Sequence, residues 1–175
     1  CERLARVSEV VDATPASSAT FFLGKLTALS IVLAALAAAG LATTLVFQAA
    51  VGPFELAPAT WAALLPLAVL PLVLLAVLVL LVQALVPNRH VGLVLSLALI
   101  AFLHKRALGG PDHPLLRYAY APRFAWSDLS GFGPEAESFA WFAAFWTSVA
   151  ALAGLLAIHL WPRGTDQRLV RRLAA

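Results

Sequence analysis

Along this chain the apolar positions fall in long unbroken runs, not in the period-2 alternation of half-buried strands. No charged residue interrupts the run from Leu26 to Val51, which follows Lys25, or the run from Trp61 to Val86. Each exceeds the roughly 20 residues that carry an α-helix across a hydrocarbon core. Pro66 and Pro71 lie inside the second run. Proline breaks helices in water, but in a membrane bundle neighbouring helices satisfy the freed carbonyls, so the run predicts a kinked helix. The third run, Val91 to Leu103, makes only about 20 Å of helix, short of a ~30 Å core. Arg89 and His90 before it, and His104, Lys105 and Arg106 after it, predict a span over 88–104 completed by snorkelling; a re-entrant or interfacial segment is the alternative. The fourth run, Phe139 to Trp161, contains only His159 as a titratable group. Phe139, Trp141, Phe142, Phe145 and Trp146 crowd its start, and Trp161 and Arg163 close it, as aromatic belts do at the two membrane interfaces.

The remaining stretches are patterned differently. In residues 1–25, Leu4, Val7, Val10 and Val11 share one helical face while Glu2, Arg3, Arg6, Glu9 and Asp12 lie mostly elsewhere, and Glu2 and Arg6 are spaced for an i,i+4 pair. This predicts a short cytoplasmic amphipathic helix, stopped at Thr14-Pro15, with Ser17 or Ser18 capping the helix that follows. The loop 105–138 holds Pro111, Pro114, Pro122 and Pro134 interleaved with Tyr118, Tyr120, Phe124, Trp126 and Phe132. That composition predicts a folded outer loop lying against the membrane interface. Residues 163–175 form a short basic tail.

Composition agrees with lipid as the solvent. Hydrophobic residues make up 62% and charged residues 12%, against roughly 45–50% and 25% in soluble domains, and the mean hydropathy is +0.89. The pI near 9.6 does not imply nucleic acid, because the basic residues are scattered through short connections. Arg3, Arg6, Lys25, Arg89, Arg163, Arg168, Arg171 and Arg172 fall on one side of the expected topology, and Lys105, Arg106, Arg117 and Arg123 on the other. The richer side is the cytoplasmic one, which puts both ends there. The opening at Cys1, with no Met anywhere, reads as a piece of a longer protein, and a single cysteine permits no internal disulfide.

Little in the chain resembles catalytic chemistry. His90, His104, His113 and His159 form no i,i+4 pair and no His-Glu-x-x-His pattern. His104, Asp112 and His113 could make a weak metal site, but polar residues at helix ends are the plainer reading. Ser127, Asp128 and Ser130 lack a nucleophile elbow, and no phosphate-binding glycine loop exists. No enzyme activity and no cofactor are therefore expected of this chain. The first, second and fourth runs also carry no acidic residue, which argues against a self-powered proton pathway and suits a protein driven by a partner.

Two stretches carry a family resemblance. The run Glu2-Arg3-Leu4-Ala5-Arg6-Val7-Ser8-Glu9-Val10-Val11-Asp12-Ala13-Thr14-Pro15, followed by Leu23-Gly24-Lys25, resembles the cytoplasmic segment of type-2 ABC export permeases. Trp126-Ser127-Asp128-Leu129-Ser130-Gly131-Phe132-Gly133 resembles the Tyr-Ser-Asp-Met-Asn-Gly-Phe-Gly loop of the bacterial subgroup fused to an M1-type zinc aminopeptidase domain, departing from it at Trp126, Leu129 and Ser130. Val86-Pro87-Asn88-Arg89-His90-Val91-Gly92 resembles that subgroup's short turn between spans. The similarity extends to about Gly164. It implies an ABC-type ATPase subunit as partner, docked through Glu2, Arg6, Glu9, Asp12, Thr14, Pro15, Gly24 and Lys25. It also implies a second permease half or a homo-oligomer, and the bacterial inner membrane as location. The peptidase is implied only for the parent protein.

The expectation is thus an all-α integral membrane protein with about four transmembrane helices, preceded by a short cytoplasmic amphipathic helix, acting as the permease portion of an exporter. A membrane anchor that positions a metallopeptidase without transporting anything is the chief rival. A membrane-embedded metalloenzyme using His104, Asp112 and His113 is a third possibility.

Overall fold

The computed structural model describes residues 16–51, 58–86, 88–104, 113–122 and 133–161. Among them the chain is helical, without strands: α1 (Ser18–Val51), α2 (Pro58–Leu85), α3 (Arg89–His104), a single 3-10 turn (Pro114–Leu116) and α4 (Gly133–His159). Three helices are long and apolar enough to cross a membrane: α1, the Leu64–Leu85 part of α2 and the Ala136–His159 part of α4. The chain is therefore a membrane-associated, multi-pass helical protein. The shorter α3 does not reach that length. The expected amphipathic helix over the first residues, the basic tail and most of the outer loop lie outside the described residues.

Each helix begins before its apolar run, and at α1 and α3 a capping side chain sets the start. The Thr20 amide donates to Ser17 Oγ at 3.2 Å, so Ser17, not Ser18, caps α1. Asn88 Oδ1 accepts from the His90 amide at 3.0 Å and opens α3. Helix α4 starts at Gly133 rather than near Phe139, so residues 133–138, expected in the outer loop, form its first turns. Gly133 takes φ 55, a conformation that favours glycine, and the proline that follows has its φ already fixed for a first helical turn. Both prolines of α2 sit inside one continuous helix.

Helix α2 is the centre of the bundle, packing most extensively on α1, then on α4, then on α3. Leu74, Val77, Leu80 and Ala84 of α2 share a core with Trp146, Ala150 and Ala157 of α4. Helix α1 contributes one buried residue, Phe22. Its ring lies 3.4 Å from the place a Cβ would occupy on Gly154, with Val77 Cγ1 at 3.9 Å, so α1, α2 and α4 meet at that glycine. Helices α2 and α3 meet similarly: Gly92 is buried, and the Gln83 amide oxygen lies 2.8 Å from its absent Cβ. Ser96, one turn on, is also buried and donates to the Gly92 carbonyl at 2.7 Å. Small residues at the points of closest approach are how apolar helices pack in lipid. The outward faces stay apolar, with Ile31 of α1 70% and Leu155 of α4 64% exposed.

The contact of Phe22 near the start of α1 with Trp161 just beyond α4, ring centroids 6.2 Å apart, puts both at one end of the bundle. We call this the near end; the α1–α2 connection lies at the far end.

Gly154→Leu is expected to drive a side chain into Phe22 and Val77 and to cost about 1–3 kcal/mol. Gly40, with nothing within 4 Å of its absent Cβ, should accept the same change. Thermal unfolding of the two variants in detergent micelles, against the unsubstituted protein, checks the contrast.

Candidate functional site

Two clusters of side chains stand out. At the near end, Lys25 Nζ lies 5.0 Å from the Trp161 ring centroid, a cation–π distance. Trp161 also receives the Phe22 ring edge-on, so the beginning of α1 and the end of α4 are clasped through one indole. Gly24 and Lys25 are both exposed in the first turns of α1, and the Gly24 carbonyl accepts from Thr27 Oγ1 at 3.0 Å. Of the residues that the permease resemblance assigns to partner docking, these two are described. Glu2, Arg6, Glu9, Asp12, Thr14 and Pro15 lie outside the described residues. So do Trp126, Ser127, Asp128, Gly131 and Phe132 of the loop signature, whereas Gly133 is the first residue of α4.

The second cluster forms where the chain between α3 and α4 enters the bundle. Tyr118 is buried and its hydroxyl donates to the Leu74 carbonyl of α2 at 2.8 Å, using the spare lone pair of a helical carbonyl. Its ring meets Trp146 of α4 edge-on at 5.2 Å, and Trp146 in turn meets Phe145 at 4.9 Å. Tyr120 meets Phe142 at 5.4 Å. The neighbouring Ala119 is buried with φ 57, a left-handed conformation costing an alanine about 1–2 kcal/mol. Such strain persists only where the surroundings over-determine the backbone. Here the Tyr118 hydrogen bond and the aromatic contacts on both sides do so. Trp146 is 6% exposed, and its indole N–H is buried with no acceptor among the described residues. A buried unpaired donor costs about 1–3 kcal/mol.

Tyr118 and Trp146, members of the aromatic groups expected at the interfaces, are both buried between helices. Residues 113–122 of the expected outer loop dock into the seam between α2 and α4. Alternating prolines and aromatics signal a folded segment, but the depth at which it docks has no local signature.

The histidines are placed as helix-end groups. His113 Nδ1 accepts from the Leu115 amide at 3.2 Å and caps the 3-10 turn. Arg89 Nε donates to His90 Nε2 at 3.2 Å, and His159 is exposed in the last turn of α4. No group of three His, Cys, Asp or Glu side chains occurs among the described residues. Asp112 lies outside them.

Tyr118→Phe removes the hydrogen bond to the Leu74 carbonyl and should cost about 0.5–1.5 kcal/mol. Thermal unfolding of both proteins in detergent micelles checks the loss.

Compared with protein-family models, with curated proteins and with solved structures, the chain has no match in any of the three.

Proposed function

We propose that this chain is the membrane-spanning permease portion of an ATP-driven exporter of the type-2 ABC kind, working with a separate ATPase subunit and a second permease half. The observation that carries the reading is the pairing of its two sequence motifs with an apolar helical bundle. The charged run ending at Thr14-Pro15 directly precedes α1, and the Trp126–Gly133 signature leads directly into α4. Four crossings follow on this reading, the third being the short α3, completed by snorkelling of the polar residues at its two ends. The Lys and Arg distribution favours the near end in the cytoplasm and the loop signature outside, and the bacterial inner membrane follows from the family resemblance. The bundle supplies no acidic relay of its own: α1 and α2 contain no Asp or Glu, and Glu135 and Glu137 sit at the far-end start of α4. Energy then has to arrive mechanically, from ATP-driven closure of the partner against the segment before α1.

In the full-length protein, Glu9→Lys combined with Asp12→Lys is expected to weaken association with the ATPase at least about tenfold, ~1.4 kcal/mol, without changing the thermal stability of the bundle. Association that survives the change removes the coupling assignment. A protein that copurifies with no ATPase at all fits a membrane anchor for a peptidase domain.

Topology is read separately. With Cys1→Ser as background, Ser130→Cys should react with an impermeant thiol reagent on intact cells. Labelling only after the cells are opened reverses the orientation.

A further inference from the structure

We propose that α2 is hinged at Pro66 and Pro71, and that the segment His113–Pro122 is a releasable latch holding the far half of α2 against α4. The inference needs the helical bundle but not the exporter reading, and it holds for either orientation in the membrane.

The hinge follows from missing backbone bonds. A proline has no amide to donate, so the carbonyls four residues before Pro66 and Pro71, those of Ala62 and Leu67, lose their helical donor. Bending of helices concentrates at such positions. Burial changes at the same place. From Leu64 to Val73 no side chain of α2 is buried, whereas Leu74, Ala76, Val77, Leu80, Val82 and Ala84 all are. Helix α4 divides in step: none from Ala136 to Phe145 is buried, while Trp146, Ala150 and Ala157 are. The packed core thus occupies the near halves of both helices, and the prolines lie just beyond its edge. Past that edge Leu70 and Phe142 are only partly buried against the core, so less holds α2 to α4 there.

The latch joins the two helices at that edge. Tyr118 donates to the carbonyl of Leu74, the first buried residue of α2 after the prolines, and meets Trp146, the first buried residue of α4, edge-on. Tyr120 reaches one turn farther along α4, onto Phe142. Two costs are paid only in the docked state. Ala119 is held at φ 57, a backbone that an alanine leaves when nothing enforces it. The Trp146 N–H is kept buried without an acceptor among the described residues. Against these stand one hydrogen bond and the ring contacts, so the docked and released states lie close enough in free energy for both to be populated. The 3-10 turn is closed by its own bonds, the Leu116 amide to the His113 carbonyl at 3.0 Å and the Arg117 amide to the Pro114 carbonyl at 3.2 Å. That part of the segment leaves the bundle intact, without stranding its amides. Release removes the tie between Leu74 and Trp146, and the far half of α2 swings from α4 about the prolines.

The test measures nitroxide–nitroxide distances by double electron–electron resonance in the full-length protein in lipid bilayers, with Cys1→Ser as background. Ala68→Cys with Ala140→Cys, both exposed, spans the far halves of α2 and α4. Val79→Cys, half-buried, with Leu155→Cys, exposed, spans the near halves. The expected result is two distance components for the far pair and one for the near pair. Tyr118→Phe should raise the ratio of the longer to the shorter far-pair component at least about twofold, the lower bound for one lost hydrogen bond. Ala119→Gly should lower that ratio, because glycine takes the left-handed backbone without strain. Replacing both prolines by alanine should merge the two components into one. A single far-pair distance that Tyr118→Phe leaves unchanged overturns the proposal. Broadening of both pairs together makes the segment a general brace of the bundle, and two components that survive the alanine substitutions put the pivot elsewhere; either result overturns it equally.

Discussion

The structure depends on one constraint: outside the bundle there is nothing for a carbonyl or amide to bond to, and nothing for an apolar side chain to flee from. Lipid is as apolar as leucine, so burying leucine on leucine provides little drive for helix association. What holds α1, α2, α3 and α4 in register is the closeness of approach and the few polar contacts made inside. Gly154 lets the Phe22 ring and Val77 converge, and Gly92 lets the Gln83 amide oxygen sit where a side chain would otherwise stand. In that geometry a Cα–H of Gly92 points at the amide oxygen, a weak hydrogen bond that recurs between tightly packed helices. Ser96 spends its hydroxyl on its own helix, so α3 turns no unsatisfied group toward α2 from that position.

The same constraint explains why the segment between α3 and α4 is built as it is. Its 3-10 turn, its His113 cap and its Tyr118 hydrogen bond each retire a polar group that the surroundings would otherwise leave stranded. Ala119 accepts a left-handed backbone in exchange. The Trp146 N–H is the exception, buried beside Tyr118 with no described acceptor. Desolvated donors and strained backbone collect where a fold serves something other than its own stability. Here both occur within one aromatic contact.

Legibility followed the same division. The long runs were readable because a helix in lipid needs only length and lack of charge, so α1, α2 and α4 stand where the apolar stretches do, with ends adjusted by Ser17, Asn88 and Gly133. The shortness of α3 was readable too, since His104, Lys105 and Arg106 close its run early. A run too short to cross was expected either to be completed by snorkelling side chains or to form a re-entrant or interfacial segment; the packing of residues 113–122 on α2 and α4 had no such signal. Aromatic residues at run ends signal interfaces on average, but ring contacts such as Tyr118–Trp146 depend on which helices converge. That is a property of the whole bundle and leaves no mark in a local window.

The near end bears on how such a bundle could be driven. Helix α1 packs extensively on α2, yet its most membrane-like stretch has no buried residue. Its one buried side chain, Phe22, lies within its first turns, against Gly154 and Trp161. Lys25, the next turn on, rests over the same indole. If the charged segment before α1 is where a partner pushes, the displacement reaches α2 and α4 through that clasp before any other contact. A ring wedged at a glycine is suited to this, because it resists compression while leaving the helices free to pivot about the contact. The exporter reading thus asks of the near end a stiff joint, and Phe22, Gly154 and Trp161 are arranged as one.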